Sequence, residues 1–431
     1  MKNMSIFKTL TAGAVFMLFC TLSSLSLASC SEDELGASIF DTHEYALDRN
    51  AYTFPLDTFV KVNFLQPYNM QFIYKMDYVG SDMDKNLTPA TYENSCKLAV
   101  LSKYLWYDTY NDVCGGDPTF LKTYSPRIIH VVGSRNLNTS SGTETLGVTE
   151  GRTKITLYRT NLLDPSDIDN MNEYFFETMH HEFGHVLDGN KLHPTTFNVL
   201  SNGRYNSAGW SDVPDSVAYS QGFISPYASA SYTEDWVETL ARYITRDTLA
   251  MERMFKTAEV EWEIIDLEDN NGDDDVTQAD YNYMLRGDVD IDTIGYFKDD
   301  QSGKGEYKVY RRVCLRDGNG NVILGEDGKP QWVANTTNAS DIIKEKIRFV
   351  REYMQTQFGV DLNRLRKLVQ NKQYVRDAQG NFIAEDYYNY VTRRTDQRLV
   401  NAITKVDETS GKSVMDELLE QLEPYKQLQN K

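Results

Sequence analysis

Four of the six histidines in this 431-residue chain fall between positions 180 and 193, and two bracket a glutamate in His181-Glu182-Phe183-Gly184-His185. Positions i and i+4 of a helix share a face, so both imidazoles can reach one tetrahedral ion. Glu182 then lies beside the open coordination position, where it can deprotonate a water that the metal polarises. That is the chemistry of carbonyl hydrolysis. A catalytic zinc takes three protein ligands and one water, so a third ligand must come from elsewhere. A frequent spacing puts Gly three residues and His six residues past the second histidine. Those positions hold Asp188 and Lys191, and His193 is two residues out of register. His193 reads as a surface or supporting residue. The segment Glu234-Asp235-Trp236-Val237-Glu238 instead offers two carboxylates one turn apart. Its plainer reading is a solvated acidic first turn stabilised by the helix dipole.

The elements that must position these groups follow from pattern. Asp164-Pro165-Ser166-Asp167 is a start signal, and the spacing predicts one helix from Ile168 to Asp188, stopped by Gly189. A second helix is expected from Thr233 to Thr245, with Thr233 as its N-cap. Short strands are predicted at 127–132, 146–148 and 154–159, and mixed strand and turn signals run from 54 to 80. Residues 90–108 carry helical spacing. Residues 305–335 read as strands joined by tight turns, 339–370 as helix, and 413–428 as a terminal helix. The expected fold class is α+β: a twisted mixed sheet packed on the His181 helix, with the Glu234 helix beneath and strand 146–148 at the sheet edge.

Sixty-three acids against 44 Lys and Arg give a formal charge of −19, which repels phosphate backbones and argues against a nucleic-acid partner. At the N-terminus Lys2 and Lys8 precede an apolar stretch over 10–22, and small residues lead into Leu27-Ala28-Ser29-Cys30. This is a secretory signal. Its end resembles the lipobox of bacterial lipoproteins, which implies acylation of Cys30 and membrane contact through the lipid alone. The acidic run Ser31-Glu32-Asp33-Glu34 resembles an export tag for the outer face of the outer membrane. Cys96 and Cys114 could bridge in an oxidising compartment.

The stretch 181–185 with Asp188, then Tyr227, Glu234 and Glu238, is similar to the active site of the lethal-factor type of gluzincin. The resemblance implies that Glu234 is the third ligand of one zinc and that Tyr227 donates a hydrogen bond to the transition state. It places Glu238 behind the ligands, and Asp188 or Glu238 would orient a ligand imidazole. The chain as a whole resembles a family of zinc metallohydrolase lipoproteins of Bacteroides-type bacteria. The likeness runs through Pro67-Tyr68-Asn69, Leu146-Gly147-Val148-Thr149-Glu150-Gly151, His180 to His185, Tyr227-Ala228 and Glu234 to Glu238. It implies a zincin-like peptidase acting on peptide, protein or glycopeptide at the cell surface. Its expected neighbours are an outer-membrane nutrient importer and the importer's substrate-binding lipoprotein. A non-catalytic binding or assembly lipoprotein, or a hydrolase of a glycan bond, are the alternatives.

The expected organisation is a signal peptide over 1–29, a tether over 30–52, and a catalytic domain over 53–258 with 339–370. An acidic and β-hairpin insertion spans 259–338 and a C-terminal extension 371–431. Within the insertion Asp269, Asn271, Asp273, Asp275, Thr277 and Asp280 match positions 1, 3, 5, 7, 9 and 12 of a calcium loop, with Asp274 where that loop needs Gly.

Overall fold

The computed structural model describes residues 47–76, 85–138, 144–266, 293–299, 305–389 and 394–429. Cys30 and the calcium-loop candidates from Asp269 to Asp280 lie outside them. The first six strands are β1 (Gln71–Ile73), β2 (Ile128–Val131), β3 (Asn136–Leu137), β4 (Glu144–Thr145), β5 (Gly147–Glu150) and β6 (Lys154–Leu157). Four of them form one sheet in the order β1-β2-β6-β5. β1, β2 and β6 run parallel, while β5 pairs antiparallel with β6 and forms the edge expected of it. Alternate residues of a strand face one side. Accordingly Ile129, Val131, Ile155 and Leu157 are fully buried in one core with Phe175, Phe176, Met179 and Phe183.

Those phenylalanines and Met179 belong to the motif helix, which runs continuously over 168–190. Asp167 caps it, accepting from the Asn170 amide at 3.0 Å. A wider π turn occupies Asn172–Glu177. The helix passes through Gly189 to Asn190, so the glycine is not the stop signal expected of it. A Cβ there would lie 2.5 Å from Arg152 Nε, and Arg152 Nη1 donates to the Gly189 carbonyl at 2.9 Å. The second helix spans Tyr232–Thr245, and Ser231 rather than Thr233 caps it, accepting from the Glu234 amide at 3.2 Å.

Residues 54–68 correct the mixed strand-and-turn expectation. They are helical, with a π turn at Lys61–Leu65, and a short strand follows at Gln71–Ile73. Leu56, Phe59, Phe64 and Tyr68 bury one helical face. Pro55 occupies the first turn, where a missing N–H costs nothing, and Pro67 lies just past the π turn, one residue before the last helical residue. The predicted 339–370 helix is divided into Ala339–Phe358 and Leu362–Gln373 by Gly359, whose φ of +71° an L side chain would resist.

Residues 259–338 contribute β7 (Trp262–Asp266), β8 (Thr293–Asp299) and β9 (Gly305–Arg312), paired antiparallel in the order β7-β9-β8. The 371–431 segment carries the hairpin of β10 (Ala384–Asn389) and β11 (Arg394–Leu399). It is built into the main core rather than appended to it: Tyr374, Ile403, Met415 and Leu418 bury in the same cluster as Phe59 and Leu98. Its terminal helix is two short ones, Val414–Glu420 and Glu423–Gln429. Cys96 and Cys114 are not bridged.

Candidate metal centre

Helical spacing puts His181 and His185 on one face, and their Nε2 atoms are 3.2 Å apart. Glu234 reaches them from the first turn of the neighbouring helix. Its Oε2 is 3.2 Å from His181 Nε2 and 3.4 Å from His185 Nε2. Close packing of the two helices permits this reach. A Cβ at Gly184 would lie 2.9 Å from Val237 Cγ1, so a larger residue would push the helices apart. His181, His185 and Glu234 are the one cluster among the described residues with metal-ligand geometry.

His181 is held from behind. Glu238 Oε1 lies 2.7 Å from its Nδ1, and Glu238 Oε2 accepts from Ser225 Oγ at 2.5 Å and Arg242 Nε at 3.2 Å. Arg242 also meets Glu177 at 3.1 Å, and Arg246 meets Glu177 at 3.0 Å. With Nδ1–H donated to Glu238, the imidazole aims its Nε2 at His185 and Glu234, where a cation would take the place of its second proton. Three acceptor atoms therefore converge. Glu234 Oε2 is buried with no hydrogen-bond donor. Edges of 3.2 to 3.4 Å suit a tetrahedral ion with bonds of about 2 Å. The local field asks for positive charge. Burial works to lower the His181 pKa, but Glu234 and Glu238 outweigh it and push it up to about 10. Burial likewise works to raise the Glu238 pKa, and His181 and Arg242 hold it down at about 2.

The remaining predicted residues separate into two groups. Glu182 is buried beside the ligands, and its Oε2 accepts from the Thr149 hydroxyl of β5 at 2.5 Å. Tyr227 lies on a turn just before the Glu234 helix. Its ring stacks on His181 at 5.7 Å and packs edge-on to Trp210 at 4.7 Å. Burial first, then the carboxylates of Glu234, Glu238 and Glu182, push its pKa upward, so the phenol stays protonated. Asp188 is elsewhere. Of the two carboxylates expected to orient a ligand imidazole, only Glu238 does so. Asp188 Oδ1 instead accepts from the His193 amide at 2.7 Å and from its Nδ1 at 2.8 Å. His193 is buried and stacks on Trp236 at 4.8 Å, which corrects its reading as a surface residue. Ser225, Arg242, Glu177, Arg246 and Thr149 escaped the sequence reading.

His181, Glu182 and Tyr227 line a cleft of about 470 Å³ roofed by residues 144–147. A helix-borne histidine pair completed by a glutamate from a neighbouring helix, in a cleft beside the β5 edge of the sheet, defines a metal centre of the metallohydrolase class. The chain belongs to the family described as "putative zinc-binding metallo-peptidase", whose model matches residues 49–363. It is also similar to a crystal structure of a "putative zinc-binding metallo-peptidase" from Bacteroides caccae, at 26% identity, covering 78% of this chain and 95% of that one, with a TM-score of 0.48. No curated protein matches the chain.

Proposed function

We propose that the chain is a zincin-like metallopeptidase of gluzincin type. Its substrates on this reading are peptide, protein or glycopeptide chains. The observation that carries it is the convergence of His181 Nε2, His185 Nε2 and Glu234 Oε2, all within 3.4 Å of one another, beside Glu182. These three residues would hold one zinc. Bound there, zinc supplies a Lewis acid that polarises a carbonyl and eases ionisation of water. Glu182, aimed by the Thr149 hydroxyl, takes the proton of the attacking water and hands it to the leaving amine. Tyr227 donates to the oxyanion that exists only in the tetrahedral state, so it acts on kcat more than on binding. The substrate extends antiparallel along β5. Cys30 tethers the protein by lipid to the outer face of the outer membrane, where it would serve an importer and its substrate-binding lipoprotein.

The test is digestion of peptide and glycopeptide libraries by wild type, chelated protein and Glu182→Gln. Wild type should carry about one zinc per chain and lose cleavage on chelation. Glu182→Gln should keep the metal and lose turnover by about 10²–10⁴-fold. Full activity of Glu182→Gln on a substrate that wild type cuts would refute the mechanism. Separately, Cys30→Ala should move the protein from the detergent phase to the aqueous phase.

A further inference from the structure

The cleft continues from the metal centre toward the N-terminal half of the motif helix, where Glu177, Tyr174 and Glu173 line it. β5 runs the same way as this helix. A Cβ at Gly147 would touch Thr178, Thr149 bonds Glu182, and Arg152 bonds Gly189. A peptide added antiparallel to β5 therefore runs the opposite way. Its residues before the scissile bond lie toward Gly189, and those after it lie toward Glu177 and Glu173.

The charges of that pocket are mostly neutralised. Glu144 pairs with Arg135 at 2.7 Å and Arg159 at 3.1 Å. Glu177 is held by Arg242 and Arg246, and Glu238 by His181, Ser225 and Arg242. Glu173 differs. It is partly buried in the same wall, and among the described residues no side chain makes a hydrogen bond or ion pair with its carboxylate. Burial works against its charge, and the nearby guanidiniums of Arg246 and Arg242 are already engaged with Glu177. It precedes His181 by eight residues, about 12 Å along a helix. A short side chain leaves most of that gap open, whereas a lysine or arginine reaches about 6–7 Å from its Cα, and the Glu173 side chain with the hydrogen bond between them makes up the rest. A cation that enters this pocket gains a carboxylate partner, and an acid meets repulsion.

We infer that Glu173 selects a lysine or arginine side chain on the residue that follows the scissile bond. This deepens the peptidase reading and rests on it. In the test, wild type, Glu173→Gln and Glu173→Arg digest one degenerate peptide library, with cut sites read by mass spectrometry. The ratio of kcat/KM for Lys or Arg over Ala after the bond should be about tenfold or more in wild type and near one in Glu173→Gln. In Glu173→Arg the preference should turn toward Asp and Glu. Cleavage by wild type without a basic preference, or a preference that Glu173→Gln keeps, overturns the assignment and leaves the peptidase reading intact. A wild type that cuts nothing removes the peptidase reading, and a binding arm then decides on Glu173 alone. Its probes are labelled five-residue glycine peptides with Lys, Ala or Glu at the centre, titrated onto zinc-loaded Glu182→Gln. The Lys probe should bind about tenfold tighter than the Glu probe, and adding Glu173→Gln should erase the difference. Equal affinities would overturn the inference.

Discussion

The metal centre and the hairpin turns at Asp317 and Asp377 both depend on carboxylates that accept several hydrogen bonds, and they use them in opposite ways. Asp317 accepts from the amides of Asn319 and Asn321 at 2.9 Å each and from Asn321 Nδ2 at 3.1 Å. Asp377 repeats the arrangement with Gln379 and Asn381. Every partner lies within four residues, and the turns are exposed. Glu238 is buried, and its partner His181 is 57 residues away. An exposed carboxylate satisfied locally organises only its own turn, because water can replace each bond. A buried one satisfied from distant elements ties helices together, and its loss strands groups that water cannot reach.

Substitutions can break or sharpen this contrast. The largest effect on stability should come from Lys346→Met. Lys346 pairs with Asp235 at 2.6 Å, both fully buried, behind the first turn that carries Glu234. Removing the cation leaves the buried Asp235 charge unpaired, with the Tyr205 hydroxyl still donating to it at 3.0 Å, which should cost about 3–5 kcal/mol in urea unfolding. Unchanged stability would mean that buried charge in this region is replaceable after all. Tyr227→Phe keeps the ring and removes only the donor. Zinc content and melting temperature should hold while kcat falls about 10²-fold, equivalent to about 2.7 kcal/mol. Glu238→Gln alters the brace behind His181, and zinc affinity measured against a competing chelator should drop about 10–100-fold. Smallest of all, Asp317→Ala should leave zinc affinity and activity alone. Hydrogen bonds hold its carboxylate below the usual range. Its contribution is thus present above its unfolded pKa and fades as pH falls through the folded one. An Asp317→Ala protein with weakened zinc binding would abolish the distinction between the two regions.

The sequence is most informative where one helix sets the geometry. His181, Glu182 and His185 are readable because four residues of helix fix their directions. Glu234 is readable as one of two carboxylates a turn apart, but its choice over Glu238, like the role of Tyr227 seven residues earlier, comes only through a resemblance that pairs them with the distant histidines. Ser225, Arg242 and Glu177 are not readable, since nothing in their local spacing distinguishes them from other serines, arginines and acids of the chain. Asp188 shows the risk of carrying a pattern across. Its position matches the motif, yet His193, five residues on, captures its carboxylate. In the fold, strands β2, β5 and β6 follow their patterns closely. The 54–68 helix does not, because its π turn at 61–65 breaks the regular helical spacing that a sequence pattern can register.

The π turn at Asn172–Glu177 has a consequence for direction. Each residue of a regular α-helix advances the side chain by about 100°, so eight residues bring Glu173 about 80° past His181. One residue inserted without added rotation subtracts about 100° and returns the two to within about 20° of the same line. The widened turn acts as a phase correction. It aligns the carboxylate at the far end of the cleft with the histidine at the near end, so both face the same cleft from one side of the helix.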